Sequence, residues 1–392
     1  MQVMKDYKRL GDYIREVNVR NRELKVTKLV GLTIDKAFIP SVANVIGTDL
    51  SNYKIIRKEQ FACSLMQVSR DGKMPVAMFE EDEAIMSPAY PMFEVIDKEI
   101  LLPQYLMMWF SRSEFDREAS YYAVGGVRGS LTWEDFCNMQ LPIPSITRQC
   151  EIVAEYETLT RRIRINEQMI QNLESTAQTL YRKMFVDGID KENLPEGWRM
   201  GTISDLVEII DGDRGVNYPK DTDLYPTGFC LFLNAGNVTS KGFNFENKLY
   251  ITEKKSDSMR AGKLKRNDIV FTTRGTVGNF ALYSNDIPFE HMRINSGMVI
   301  LRNEIIDSMQ YIYHLFHLVS FKQEIINYLS GSAQPQLPIK DFNRIPIVIP
   351  SNDKIKMFSD NSVIINKNID LLKNENYKLT ELQSLLLAKI GQ

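Results

Sequence analysis

The only histidines are His291, His314 and His317, and the last two stand three apart in YIYHLFHLVSF, a stretch patterned as a helix. That spacing puts two imidazoles on one helical face, where metal ligation is the chemistry to weigh. No carboxylate or thiol accompanies them, so they are read as two histidines at a helix–core boundary, and no metal is expected. The four cysteines, Cys63, Cys137, Cys150 and Cys230, form no CxxC pair, which argues against a zinc ribbon, a redox motif or a disulfide framework. The sequence holds no GxxxxGK[ST] phosphate loop, no GxSxG elbow and no Asn-Pro-Pro-aromatic motif. The Gly-rich GGVRGS (125–130) does not follow a strand of a βαβ unit. With no nucleophile–base pairing visible, no catalytic residue is assigned.

Arginine, lysine and glutamine at loop tips offer a different chemistry. They can hydrogen-bond base edges in pairs and neutralise phosphates. The candidates are Arg70, Lys73 and Arg128 with Ser130 in the first half, and Arg274, Thr276, Gln334 and Gln336 in the second. Arg214 and Lys220 join them from DGDRGVNYPKDTDLYP (211–226). Arg274 is favoured because Gly275 beside it would let a ligand backbone approach closely.

Overall charge does not advertise such a role. The net charge is −2 and the pI about 6.1, whereas a free-standing DNA binder is usually basic. Basic residues are concentrated locally: Lys5, Lys8, Arg9, Arg15, Arg20, Arg22, Lys25 and Lys28 face four acids over 5–28. Glu80 to Glu83 is acidic. A chain that meets DNA only inside a larger assembly fits this balance.

The elements that would position these residues are written twice. Shifted by 206 residues, YAVGGVRGSLTWEDFCNMQLPIPS (122–145) lies over YLSGSAQPQLPIKDFNRIPIVIPS (328–351) without gaps. The identical pairs are Tyr122/Tyr328, Gly125/Gly331, Leu131/Leu337, Asp135/Asp341, Phe136/Phe342, Ile143/Ile349, Pro144/Pro350 and Ser145/Ser351, where chance gives about one or two. Each copy predicts a Gly-rich loop, a short amphipathic turn ending in Asp-Phe, an apolar strand and a proline stop. Upstream, VGLTIDKAF (30–38) echoes AGNVTSKGF (235–243), and Arg70 lies near the offset of Arg274. Asp12 pairs with Asp205 only if the second copy carries about 12 extra residues, placed within 211–226.

After each proline stop comes a long helical pattern with no Gly or Pro over 151–186 and 352–390. Apolar positions step by four and three through Leu159, Ile163, Asn166, Ile170, Leu173 and Leu180, a coiled-coil seam. The second helix repeats it through Ile365, Ile369, Leu372, Asn376, Leu379 and Leu386. So narrow a seam suits a partner helix, and the simplest partner is the other copy, antiparallel within the chain. The fold expected is α+β: two pseudo-repeated mixed domains, 1–148 and 191–350, and two long helices, 149–190 and 351–392. Two similar domains held at a set spacing suit a periodic ligand, and duplex DNA is the obvious one.

At these residues the chain resembles the DNA specificity subunits of type I restriction–modification systems, over almost its whole length. LPIPSITRQCEIV (141–153) resembles that family's strand–proline–helix entry, including Gln149, where the second copy has Ile355. NLPEGWRMGTISDLVEIIDG (193–212) resembles the opening of a second recognition domain. LKRNDIVFTTRGTVGNFAL (264–282) and IMSPAYPMFEV (85–95) resemble matching elements of the two domains. The resemblance implies a non-catalytic subunit that reads an asymmetric two-part DNA site. Its paired helices would set an unread spacer and dock two modification subunits that methylate adenine. It also implies restriction subunits as partners, S-adenosylmethionine, ATP and Mg on the partners with no cofactor in this chain, and a cytoplasmic protein. The alternatives are a specificity subunit of a fused restriction–methylation enzyme, a free-standing DNA-binding regulator, and a coiled-coil scaffold that never touches DNA.

Overall fold

The computed structural model describes residues 7–41, 47–66, 68–124, 129–331 and 334–391. Its contacts divide the chain into two units, Met1–Ile165 with Asn376–Gln392, and Asn166–Glu375. Each long helix, Ile146–Phe185 and Asn352–Ile390, therefore contributes to both units.

The first unit is built on a four-stranded antiparallel sheet in the order Ile14–Glu16, Met92–Val95, Phe61–Cys63, Val76–Met78. The middle strand Phe61–Cys63 is buried throughout, as its unbroken apolar run requires. The helices Pro103–Phe110 and Ser113–Ala123 close over this sheet and share its core, with Phe93, Phe110 and Phe136 at the centre. A two-stranded pair, Tyr7–Arg9 with Gln140–Pro142, ties the first described strand to the last one before the long helix.

The second unit repeats this order strand for strand: Glu208–Asp211, Met298–Arg302, Ile269–Thr272, Phe280–Leu282, with Arg199–Thr202 paired to Pro346–Ile349. The correspondence extends to single hydrogen bonds. The Tyr105 hydroxyl donates to the Pro142 carbonyl at 3.1 Å, and the Tyr311 hydroxyl to Val348 at 2.6 Å, both pairs separated by the repeat offset. Asp12 and Asp205 each end a short 3-10 turn after the first strand. Ile14 and Glu208, 194 residues apart, open equivalent strands, whereas Met92 and Met298 are 206 apart, so the second copy carries extra residues between them. Where the copies differ, the packing differs. The Gln149 amide takes the Leu102 N–H and donates to Ile100 and Pro144, while Ile355 inserts into an apolar cluster.

Every anticipated seam residue is buried or half-buried. In the first unit, Gln383 Nε2 donates to Thr160 Oγ1 at 2.7 Å, and Ile152, Val153 and Tyr156 share a core with Leu387 and Ile390. In the second, Asn166 Nδ2 donates to Glu375 Oε2 at 3.0 Å, and Tyr181 meets Phe358 edge-on at 5.4 Å. In each unit rising numbers on one helix meet falling numbers on the other, so the pairing is antiparallel. Phe358 and Ser362 continue the seam's four- and three-residue steps ahead of Ile365, and Ser362 is fully buried within a directed relay. Gln178 Nε2 donates to His314 Nδ1 (2.9 Å), leaving His314 Nε2–H to donate to Ser362 Oγ (2.8 Å). Ser362 then donates to Gln310 Oε1 (3.0 Å), which also accepts from Asn366 (2.8 Å). His314 is thus a satisfied core residue, and His317 binds the Tyr313 carbonyl of its own helix. Among the described residues no helix is long and apolar enough to cross a membrane.

Candidate nucleic-acid interface

In the second unit the strand Ile269–Thr272, buried along its length, ends by delivering Arg274 to the surface. The N–H groups of Thr273 and Arg274 both donate to the Gly297 carbonyl, at 2.9 and 3.1 Å. Thr272 Oγ1 donates to the Thr276 carbonyl at 2.5 Å, which folds the TRGTVG turn back over the strand end. Arg274 forms an antiparallel bridge with Gln336, whose other neighbour is Ser330. The two Ser330–Gln336 backbone bonds, 2.8 and 2.9 Å, close a loop that carries Gln334. Arg214 arrives from the loop that follows Glu208–Asp211, bonding Asp211 at 3.2 Å and the Ser296 carbonyl at 3.4 Å.

Five of the anticipated residues, Arg214, Arg274, Thr276, Gln334 and Gln336, are therefore gathered on one edge. Lys220 is exposed on the same loop, but no bond joins it to the others. Among the described residues neither Arg274 nor Lys220 has a carboxylate partner. Arg274 can engage an anion without first releasing one.

The segment that presents Arg214 is braced. Gly212 lies against the 295–296 turn so closely that a Cβ would sit 2.2 Å from the Asn295 carbonyl oxygen. The buried Asp213 carboxylate accepts the N–H groups of Gly215 and Arg260, both at 2.6 Å. Burial alone would raise that carboxyl, but these N–H bonds outweigh it and hold it below the usual carboxylate range.

The first unit builds its edge differently. After Phe61–Cys63, a single helical turn, Val68–Asp71, carries Arg70. Its guanidinium grips Asp71 with two bonds, 2.7 and 3.2 Å, which raises the arginine and holds Asp71 below the usual carboxylate range. Lys73 pairs with Asp35 at 3.1 Å. Both pairs are exposed, so solvent screens them and another anion can replace the carboxylate. Gly129, with φ 70°, lies on this turn, where a Cβ would be 2.1 Å from Ser69 Oγ. That contact sets Ser130 beside the Arg70 turn. Arg128 lies outside the described residues.

Sequence reasoning passed over several exposed apolar groups at these edges. Tyr121 (77 % exposed) and Val124 (75 %) stand at the end of the helix that packs on the Arg70 turn. Val216 (99 %) stands two residues from Arg214. No local pattern marks them, because exposure depends on what the rest of the fold leaves uncovered.

Two units with one strand order and unlike, polar, cation-bearing edges define a duplicated recognition protein. Residues 195–382 match the sequence model of the type I restriction modification DNA specificity domain. The chain is similar to the HindI specificity subunit of Haemophilus influenzae, 22 % identical over 79 % of this chain and 81 % of that protein. It is also similar to the MjaVIII specificity subunit of Methanocaldococcus jannaschii, 22 % identical over 64 % of this chain and 61 % of that one. The crystal structure of a type I restriction–modification S subunit from M. genitalium shares the fold. The TM-score is 0.59 and the identity 13 %, over all of this chain and 98 % of that chain. Residues 195–382 therefore carry the type I restriction modification DNA specificity domain, and the relatives that the chain resembles are specificity subunits.

Proposed function

We propose that this chain is the DNA-sequence-specificity subunit of a type I restriction–modification complex and itself catalyses nothing. Each recognition domain, 1–148 and 191–350, reads one part of an asymmetric two-part site. The helical segments 149–190 and 351–392 dock two methyltransferase subunits, and restriction subunits join that assembly in the cytoplasm. S-adenosylmethionine, ATP and Mg belong to those partners, and this chain needs no cofactor of its own.

The observation that carries this reading is the repeat itself. One sheet order is used twice, but the strand ends differ, with a paired Arg70 in one unit and an unpaired Arg274 beside Gln336 in the other. A common scaffold with unlike tips is what reading two different half-sites requires.

The test is to co-express the chain with its methyltransferase partner and map methylated adenines on genomic DNA by long-read sequencing. A single asymmetric motif with an unread spacer is expected. A stable complex that leaves no new methylation would overturn the reading. In the same assay Arg274→Ala is expected to relax one position of one half-site and to weaken binding by about 1–3 kcal/mol. A motif and affinity identical to the wild type would remove Arg274 from the interface.

A further inference from the structure

Val216 is the most exposed apolar side chain among the described residues, 99 % accessible, yet the loop that bears it is firmly held. Gly212 is pressed on the Asn295 carbonyl, and Asp213 fastens Gly215 and Arg260. The Tyr218 N–H closes a turn on Gly215, and Asn217 Nδ2 donates to the Ser258 carbonyl at 2.8 Å. A loop with this much bracing pays little ordering entropy on contact, and a β-branched side chain adds little more. The valine contributes nothing to folding, since it touches nothing.

Its surroundings select the partner. Arg214, Lys220 and Arg260 are exposed near the tip: Arg214 pairs with Asp211 at 3.2 Å and Arg260 with Asp213 at 4.0 Å, while Lys220 has no carboxylate partner among the described residues. Both arginine heads are exposed, so a phosphate can compete for them, and together with Lys220 they suit a surface lined by phosphates whose floor offers an apolar group. In duplex DNA that group is the thymine C5-methyl in the major groove. The tip is also continuous with the Arg274 edge, because Arg214 bonds Ser296 and the next residue, Gly297, accepts the Arg274 N–H. The extra residues of the second copy fall between Asp211 and Ile269, a span that includes this loop, so a contact here would belong to one half-site alone.

We infer that Val216 is a specificity residue that reads one thymine methyl in the half-site recognised by residues 191–350. This rests on the specificity-subunit reading above. The test uses the complex of the full chain with its methyltransferase partner, titrated by fluorescence anisotropy against duplexes carrying the mapped site. Each thymine is replaced in turn by deoxyuridine, which removes only the methyl. One position is expected to weaken wild-type binding about four- to tenfold, the scale of one buried methyl. Val216→Ala should bind the thymine and uracil duplexes equally at that position, with an unchanged melting temperature. If no thymine methyl matters to the wild type, or if the sensitive position survives in Val216→Ala, the inference fails while the specificity reading stands. If the wild-type complex selects no two-part site at all, both fail.

Discussion

Phe358→Ala is expected to cost the second unit about 3–5 kcal/mol, the usual range for emptying a fully buried phenylalanine site. Phe358 is a seam residue of the second long helix, and its ring meets Tyr181 and Phe185 at 5.4 Å and His314 at 5.1 Å, all edge-on. Both helices and the helix Ile306–His317 converge there, so the site cannot collapse around the void without moving three elements. Hydrogen exchange resolved by peptide would show it. Amides over 269–317 should exchange faster in the variant, while those over 61–110 hold their wild-type rates. Val363→Ala, on the same helix but 44 % exposed, should change exchange by less than about 0.5 kcal/mol. Equal behaviour of the two variants would mean that the seam does not hold the unit together.

The second large effect is a change in the steepness of the pH dependence of stability. Burial, with a smaller contribution from His317, pushes His314 down to about 3 from 6.5. Between those values an unfolded chain binds a proton that the fold refuses. Stability therefore falls as pH drops below 6.5, by up to about 1.4 kcal/mol per unit. Asp370 acts in the opposite direction. Burial first, and a hydrogen bond with Asp286 second, raise its carboxyl to about 7, against the weaker pull of Lys373. The fold keeps that proton where the unfolded chain has lost it, so stability falls as pH rises from 3.8 towards 7. Asp370 is only half-buried, and solvent screening makes its slope the shallower one. The wild type should thus lose stability gently on acidification. His314→Gln, which stays neutral, should flatten the slope, with the buried His317, also held below its ordinary value, keeping a contribution of the same sign, and Asp370→Asn should steepen it. Urea midpoints measured at about pH 4.5, 5.5 and 6.5 would decide the matter. Parallel slopes in all three proteins would show that neither group titrates as its surroundings dictate.

Much of this architecture is legible in the sequence, for reasons specific to each part. The seam from Leu159 to Leu180 and from Ile365 to Leu386 was visible because helical periodicity is local, set by neighbours three and four residues away. The repeat was visible because Leu131/Leu337 and Phe136/Phe342 occupy the same core positions twice, and a core tolerates few alternatives at full burial. The Gly-rich and proline signals marked where strands stop, and so where loop tips lie.

The tertiary structure decided the rest. Nothing local reveals that Gly297 gathers Arg274 and that Arg214 arrives beside it through Ser296, since these groups lie far apart in the chain and meet only when the sheet closes. The sequence marks Arg70 and Arg274 as alike, yet one is held by Asp71 and the other is unpaired, because pairing depends on loop geometry. Ser362 looks like a flaw in the seam until Gln178, His314 and Gln310 are brought around it from two other helices. Val216 carries no signal at all in the sequence. The sequence by itself determined periodicity, repetition and chain punctuation, which depend on near neighbours. Exposure, charge pairing and hydrogen-bond partners were settled only by the fold, because each depends on which distant residues fill the space around a side chain.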